Sequence, residues 1–229
     1  MSNITLSKTT LAILKVASQI NNSFLAKPGD RINVNRDSGS IMLRAKIDET
    51  WPTEFALYEL NRFLQVVNSP AMANAELRFE ETERRVNISS GKSNVRYNFS
   101  DASLVSGYSD KEIVISNVNA SFELSEQTLD DISRMAGILG HTHLTIKVEN
   151  SKIWVLTSNP KLENASNEYK IEIAENTENY ADGSWALKLE NLILLDGSYQ
   201  VSIFKGVAAA FEHKVHDVKI FIGLERAAV

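Results

Sequence analysis

The sequence contains no cysteine, which excludes disulfide bonds, thiolate nucleophiles and cysteine-ligated metal centres. It has no apolar run close to the ~20 residues that a transmembrane helix requires. Its first residues also lack the basic-then-apolar layout of a signal peptide. We therefore expect an intracellular soluble protein that does not bind a membrane.

Positive charge is in deficit as well. The 24 lysines and arginines are outnumbered by 29 aspartates and glutamates, which gives a formal net charge of -5 at pH 7. Such a balance argues against a protein that coats nucleic acid with its whole surface. It does not exclude a local basic patch, because binding depends on where the charges lie.

Motifs for catalysis are missing too. The run Gly91-Lys92-Ser93 resembles the end of a phosphate-binding loop, but Val86 stands where that motif needs its first glycine. The four histidines have no evident carboxylate cluster around them, and no serine, histidine and acid constellation stands out. We expect no enzymatic activity, no metal site and no cofactor.

The first clear element is an amphipathic helix over residues 6–20. Apolar side chains recur on one face at helical spacing, and Ser7 is a suitable N-cap residue. The opposite face carries Lys8 and Lys15. A lysine stripe on an acidic chain is the feature that a function must explain.

A similar stretch begins at Leu124, and the order of elements then repeats. The opening letters align as Leu6 with Leu124, Ser7 with Ser125, Thr10 with Thr128, Leu11 with Leu129 and Leu14 with Ile132. A later pair, 55–70 and 184–197, aligns Phe55-Ala56-Leu57 with Trp185-Ala186-Leu187 and Asn61 with Asn191, and we interpret both stretches as helices. The alternative is chance similarity between amphipathic helices.

The repeat predicts a duplicated α+β fold. Each half is expected to pack two helices on an antiparallel sheet, because alternating strand patterns follow each helix. The halves would be domains at 1–100 and 119–229. The segment 101–118, rich in Ser and Asp, would be an interdomain connector.

At this point the chain resembles the sliding clamps of T-even-type bacteriophages, the processivity rings of replicative DNA polymerases. The residues that carry the resemblance are Leu6-Ser7-Lys8, Leu14-Lys15, Ile20-Asn21, Tyr58-x-Leu60-Asn61-x-Phe63-Leu64 and Gly197-Ser198-Tyr199. The resemblance implies two similar domains per chain and a homotrimer closed head to tail. Helices would line the hole, and double-stranded DNA would pass through without being read in sequence.

The resemblance also implies partners and a location. A C-terminal peptide of the DNA polymerase would bind the ring, and an ATP-dependent clamp loader would open it. The protein would act in the cytoplasm of an infected bacterial host, in viral DNA replication and in late transcription. A non-enzymatic virion or scaffold protein with the same duplicated layout is the main alternative, and a small hydrolase is a second one.

Positive side chains on the helices become candidates for contact with DNA. They are Lys8, Lys15, Arg62, Arg134 and, from the expected fourth helix, Lys188. In the repeat, Lys8 aligns with Glu126 and Lys15 with Ser133, so the first domain should be the more basic one. We expect Asp130, four residues before Arg134, to neutralise that arginine.

Two further surfaces follow from the resemblance. Edge strands near 95–99 and 169–173 would form the subunit interface, through Val95, Arg96, Tyr97, Phe99, Glu168, Tyr169, Ile171, Glu172 and Ile173. A pocket for the partner peptide would be formed by Leu104, Val105 and Tyr108, with Ile41 and Leu224 as walls. The alternatives are sheet edges without a partner, and apolar residues that only fix the connector to the body.

Overall fold

A computed structural model describes residues 3–160 and 167–225. The chain divides into two compact units, Met1–Lys111 and Glu112–Val229. The boundary between them falls inside the segment 101–118. Among the described residues, no helix combines the length and the apolar character needed to cross a membrane.

The first unit contains eight strands and two α-helices within its described residues. They are β1 (Asn3–Thr5), α1 (Lys8–Ile20), β2 (Phe24–Ala26), β3 (Gly29–Asn35), β4 (Ile41–Trp51), β5 (Phe55–Leu57), α2 (Leu60–Val67), β6 (Glu76–Glu80), β7 (Arg85–Ser90) and β8 (Ser93–Asn98). A four-stranded sheet has the order β1-β6-β7-β8, and β3 pairs with β4 and β2 with β5. All of these pairings are antiparallel. Helix α1 packs against β4 and α2.

The second unit repeats much of this plan. Its elements are β9 (Val118–Leu124), α3 (Glu126–Leu139), β10 (His143–Glu149), β11 (Lys152–Ser158), β12 (Tyr169–Glu175), β13 (Gly183–Lys188), β14 (Tyr199–Phe204), β15 (Ala208–His213) and β16 (Val218–Gly223). One antiparallel sheet has the order β12-β11-β10-β13. Strands β9, β14, β15 and β16 pair successively, also antiparallel. Helix α3 packs against β11.

The duplication is visible in the strand pairing. In each unit, the strand before the first helix pairs with the first strand of a closing three-stranded meander, β1 with β6 and β9 with β14. In each unit, the first strand after that helix also pairs with the fourth strand after it, β2 with β5 in one and β10 with β13 in the other. The predicted α+β architecture with antiparallel sheets is therefore confirmed.

The two opening helices begin in the same way. The Ser7 hydroxyl accepts a hydrogen bond from the Thr10 N–H at 3.1 Å, and Ser125 does the same for Thr128 at 3.1 Å. Each bond satisfies one of the backbone donors that the first turn of a helix leaves without an internal partner. The predicted N-caps are thus confirmed, and the repeat extends to hydrogen bonds.

The predicted helix over 55–70 is wrong at both ends. Phe55–Leu57 forms strand β5, paired with β2, and α2 covers only Leu60–Val67. Pro70–Met72 forms a separate 3-10 turn. Three consecutive buried residues open the stretch, and a short buried strand has the same apolar letters as the start of a buried helix.

The predicted fourth helix over 184–197 is also wrong. Gly183–Lys188 is strand β13, paired with β10, and only Leu189–Asn191 forms a 3-10 turn. The expectation of two α-helices per domain therefore holds for the first unit and not for the described part of the second. The alignment of Phe55-Ala56-Leu57 with Trp185-Ala186-Leu187 is nevertheless correct, because both triplets lie in strands, β5 and β13. It identified a repeat of strands that we had interpreted as a repeat of helices.

Side-chain bonds hold the segment after that turn in a non-helical path. The Tyr199 hydroxyl donates to the Leu195 carbonyl at 2.6 Å, and His213 Nε2 lies 3.0 Å from the Asp196 carbonyl. Gly197 has a φ of +134°, and a Cβ there would lie 2.3 Å from the His213 ring. The segment is therefore fixed by β14 and β15 rather than by helical bonds of its own.

Candidate nucleic-acid interface

The outward face of α1 is basic and unpaired. Ile13, Leu14 and Ala17 are buried, whereas Lys8 and Lys15 are exposed. The two lysines lie about two turns apart, roughly 10 Å along the helix axis. Neither forms an ion pair with any residue that the structure describes, so both charges remain available to an external anion.

Lys8 lies in the first turn of α1, where the helix dipole disfavours a cation. The first turn itself contains no acidic residue. A carboxylate comes instead from β4, because Glu49 accepts hydrogen bonds from the Ser7 N–H and the Thr10 hydroxyl. Glu49 on β4 thus supplies the negative charge that this helix end favours. The exposed position in the first turn can therefore be occupied by Lys8.

Arg62 on α2 is exposed but already paired. Its Nη1 lies 2.9 Å from Oε2 of Glu59, the N-cap residue three positions earlier. Since α2 packs against α1, Arg62 belongs to the same helical layer as Lys15. Because Glu59 partly neutralises the guanidinium, Arg62 attracts an external anion more weakly than either lysine does.

Helix α3 carries the opposite charge on the equivalent face. Glu126, Asp130 and Ser133 occupy the positions aligned with the lysine stripe and line a shallow groove beside the segment 192–197. Arg134 lies 4.0 Å from Asp131. The predicted pairing with Asp130 is therefore wrong in its partner, although the arginine is paired as expected.

Lys188 lies at the end of β13 and not on a helix. Its Nζ is 3.9 Å from a carboxylate oxygen of Glu190 and 3.9 Å from one of Glu225. The expectation that a fourth helix would present this lysine is thus wrong, and its charge is opposed by two carboxylates.

The two segments expected at a subunit interface both lie at sheet edges. Strand β8 is an outer strand of the β1-β6-β7-β8 sheet, and β12 is an outer strand of the β12-β11-β10-β13 sheet. Each leaves a row of half-buried apolar side chains at its edge, namely Val95 and Tyr97 on β8 and Tyr169, Ile171 and Ile173 on β12.

The charges at these edges differ in sign and in pairing. Arg96 is exposed and forms no ion pair within the described part of the chain. Glu168 is exposed as well, while Glu172 pairs with Lys152 at 2.6 Å.

Aromatic packing anchors β8 to the first unit. The Tyr97 ring meets the Phe63 ring edge-on at 5.4 Å, and Phe99 stacks on Phe55 at 5.1 Å. Phe99 lies one residue beyond the strand. These two predicted interface residues therefore contribute to the core of their own unit, and only part of each ring is exposed.

The start of the connector is fixed to the first unit. Asp101 accepts hydrogen bonds from the Ser103 N–H at 3.0 Å and the Ser103 hydroxyl at 2.8 Å, and it pairs with Arg84 at 3.3 Å. Those bonds, the Ser103 N–H first, lower the pKa of the Asp101 carboxyl. Further along, the Asn35 N–H donates to the Gly107 carbonyl at 2.6 Å.

The proposed pocket residues have different environments. Leu104 is 64% exposed, Val105 is half-buried, and Tyr108 is half-buried with the Lys27 ammonium 5.7 Å from its ring centre. Ile41 is fully buried and presents no surface to a ligand. Leu224 lies in the second unit, where it is half-buried and its N–H donates to the Val207 carbonyl at 2.9 Å.

Sequence reasoning missed the polar residues that position these elements. Neither Glu49 nor Asn22 stands out in the sequence, and Asn21 does so only within the Ile20-Asn21 pair that carries the resemblance. An Asn pair between two amphipathic segments is a possible signal, since asparagine often caps a helix. Its acceptors and donors lie far apart in sequence, however, so periodicity could not identify them.

No cluster of three or more His, Cys, Asp or Glu side chains able to hold a metal occurs among the described residues. The features that stand out are the lysine face of α1, the acidic face of α3 and the two sheet edges. This arrangement can attract an extended polyanion to one helix layer.

The chain is similar along most of its length to three curated phage proteins, each named "Sliding clamp". The one from Vibrio phage KVP40 is 26% identical over 201 residues, which cover 86% of this chain and 89% of the relative. The one from Escherichia phage RB69 is 26% identical over 90% of this chain and 91% of the relative. The one from Enterobacteria phage T4 is 24% identical over 96% of both. No family model matches the chain.

Solved structures show the same fold at much lower identity. Proliferating cellular nuclear antigen (PCNA) from Entamoeba histolytica matches 98% of both chains with a TM-score of 0.70 and 13% identity. A. fulgidus PCNA, solved with the C-terminal region of FEN-1 bound to it, matches all of both chains with a TM-score of 0.73 and 11% identity. The DNA polymerase III beta chain from Streptococcus pneumoniae matches all of this chain and 66% of its own, with a TM-score of 0.67. The duplicated fold is therefore the fold of these clamp proteins.

Proposed function

We propose that this protein is a DNA sliding clamp of the T-even phage type, which encircles duplex DNA and tethers the replicative polymerase to its template. The observation that carries this function is the similarity to three phage sliding clamps over 86–96% of the chain. The duplicated clamp fold agrees with it. The unpaired lysines of α1 supply the charge that such a function requires.

A ring holds DNA by topology, so its contacts with DNA can be weak. Lys8 and Lys15 would attract phosphate oxygens without reading sequence, which allows the ring to slide. Arg62, Arg134 and Lys188 would contribute less, because each is paired within its own unit. The acidic residues elsewhere would discourage DNA from binding the outside of the ring.

Closure of the ring would use the two sheet edges. In a head-to-tail homotrimer, β8 of one subunit would meet β12 of the next, and the edge strands would complete each other's hydrogen bonds. Val95 and Tyr97 would then pack on Tyr169, Ile171 and Ile173. Arg96 of one subunit would face the acidic edge that Glu168 and Glu172 provide. Phe99 would lie at the border of this interface.

Partner binding would centre on the connector. We assign residues 1–100 and 119–229 to the two clamp domains and 101–118 to the connector between them. A C-terminal peptide of the DNA polymerase would insert an apolar side chain beside Leu104, Val105 and Tyr108, with Leu224 at the border of the site. Such tethering raises the effective concentration of polymerase at the primer end, which is the physical basis of processivity.

An ATP-dependent clamp loader would open the ring, and the protein would act in the cytoplasm of the infected host during viral replication and late transcription. It would have no catalytic activity of its own, which agrees with the role of its relatives as clamps.

The function is tested by a polymerase extension assay on singly primed circular DNA, with the cognate polymerase, clamp loader and ATP. Addition of this protein should lengthen the products made in a single binding event. Product lengths that do not change on addition of folded protein would contradict the proposed function.

A further inference from the structure

The two residues that follow α1, Asn21 and Asn22, hold together three parts of the first unit. Asn21 is the C-cap of α1, and its backbone N–H donates to the Ala17 carbonyl at 2.9 Å. Its side-chain Oδ1 accepts from the Ser23 N–H at 3.0 Å. These two bonds fix Asn21 at the C-terminal end of α1.

The other end of the Asn21 amide reaches β3 and the connector. Its Nδ2 donates to the Asn35 carbonyl at 3.1 Å and to Asp37 Oδ1 at 3.0 Å. The N–H of the same Asn35 donates to the Gly107 carbonyl at 2.6 Å. Asn35 thus joins the end of α1 to the connector through its own peptide groups.

Gly107 fits this junction because it has no side chain. Its φ is +81°, and a Cβ there would lie 2.4 Å from Asn21 Nδ2 and 2.5 Å from the Asn35 carbonyl oxygen. Both the backbone conformation and the close approach require glycine. The connector therefore passes close to the Asn21 side chain at Gly107, where it is hydrogen-bonded to Asn35.

Asn22 caps the second helix from a distance. Its carbonyl accepts from the Leu60 N–H at 2.8 Å, and its Oδ1 accepts from the Asn61 N–H at 2.8 Å. The residue at the N-cap position of α2, Glu59, makes no side-chain capping bond, and its carbonyl accepts from Arg62 and Phe63. Asn22 thus satisfies two donors of this first turn, those of Leu60 and Asn61, that have no partner within the helix.

We propose that Asn21 and Asn22 form a positioning element, the asparagine pair, which couples the connector to both helices of the first unit. Displacement of Gly107 from Asn35 shifts Asn21 and, through the adjacent Asn22, loosens the first turn of α2. Arg62 lies in that turn, and Lys15 lies on the helix that Asn21 terminates. The consequence for DNA rests on the proposed function: a partner that moves the connector alters how these two cations are held.

The coupling is tested first on the free, full-length protein by NMR amide hydrogen exchange. Gly107→Ala forces the connector away from Asn21, whereas Gly91→Ala introduces alanine at a similar positive φ of +56° with nothing within 4 Å. We expect protection of the Leu60 and Asn61 amides to fall about fivefold in Gly107→Ala, the size of a lost cap. Protection in Gly91→Ala should match the parent. Normal protection at Leu60 and Asn61 with faster exchange at Asn35 would overturn the proposal.

The reverse direction uses a second pair of variants, which also serves if Gly107→Ala does not fold. Asn22→Ala removes the acceptor for the Asn61 N–H, while Asn22→Asp keeps an acceptor oxygen. Because coupling is reciprocal, the Asn35 amide, which bonds the connector, should exchange faster in Asn22→Ala and normally in Asn22→Asp. Equal exchange at Asn35 in both variants and the parent would contradict the coupling. A general loss of protection across the first unit would indicate a purely structural role and would also overturn it.

The effect on DNA has its own readout, the lifetime of the loaded protein on nicked circular duplex. It should be shorter for Asn22→Ala than for the parent and restored in Asn22→Asp. An unchanged lifetime in Asn22→Ala would overturn the link to DNA. A parent protein that is never retained would instead refute the proposed function and leave the exchange results valid.

Discussion

At the scale of single residues, Lys8 and Glu49 explain how an acidic chain presents a basic helix face. A lysine in the first turn of a helix is unfavourable by about 0.3–1 kcal/mol at an exposed site. Glu49 offsets this effect from the neighbouring strand, where it bonds the Ser7 N–H and the Thr10 hydroxyl. In α3 the first turn carries Glu126 itself, and no lysine is found on that helix.

Removal of the lysine face should weaken DNA retention more than removal of the paired arginine. We expect Lys8→Ala combined with Lys15→Ala to shorten the lifetime on circular DNA. The salt dependence should also become shallower, by up to about five in log–log slope for a trimer, because up to two phosphate contacts are lost in each subunit. Arg134→Ala is the matched control, since Asp131 already pairs with this arginine. An equal loss of retention in both variants, measured with intact oligomers, would contradict the predicted imbalance.

Loss of the Glu49 carboxylate should destabilise the start of α1. Glu49→Gln keeps the shape of the side chain but weakens two hydrogen bonds at a positive helix end, so we expect a loss of about 1 kcal/mol in unfolding free energy. Urea unfolding measures this change. Glu190→Gln, at an exposed site near Lys188, is the control and should have little effect. A stability equal to the parent would show that the cap is not significant.

At the scale of elements, the sequence predicted what depends on local signals. Ser7 and Ser125 start their helices as expected, and alternating patterns located most strands. The stretches that begin at Phe55 and Trp185 were misread, because short buried strands share the apolar letters of a helix and their partners, β2 and β10, are distant in sequence. The asparagine pair was missed for the same reason, since its bonds reach Asn35, Leu60 and Asn61.

The edge strands should govern assembly. Arg96→Glu places a negative charge opposite the acidic edge of β12 in the proposed interface, so it should shift the proposed trimer toward monomers at micromolar concentration. Sedimentation or native mass spectrometry reports the change. Lys92→Glu, at the exposed turn of the same hairpin, should leave assembly intact. A trimer that persists unchanged in Arg96→Glu would refute this interface.

Alkaline pH should destabilise the second unit through Tyr199. Burial raises the pKa of this hydroxyl well above its usual value, which is about 10 in an unfolded chain. Between that pH and the higher folded pKa, the unfolded tyrosine ionises while the folded one stays neutral, so stability falls as pH rises above about 10. The midpoint of urea unfolding should fall between pH 8 and a pH above 10, and this fall should be smaller in Tyr199→Phe than in the parent. An equal fall in both proteins would show that other groups cause the loss.

At the scale of the whole molecule, the chain combines a duplicated fold with an unequal distribution of charge between its two units. The two units share strand pairing and helix caps, yet they differ in the charge of the helix face, with lysines on α1 and carboxylates on α3. In a closed ring, three copies would alternate basic and acidic helices around the hole. DNA would then be attracted at three places and held by closure rather than by tight contact.

Topological closure around DNA distinguishes a sliding clamp from a DNA-binding protein, and retention on DNA of different shapes measures it. The protein is loaded onto nicked circular DNA with the cognate loader and ATP, the free protein is removed, and the DNA is cut once with a restriction enzyme. We expect long retention on the intact circle and rapid loss after linearisation, because a sliding ring escapes from a free end. Retention that is equal on circular and linear DNA, or absent from both, would contradict it.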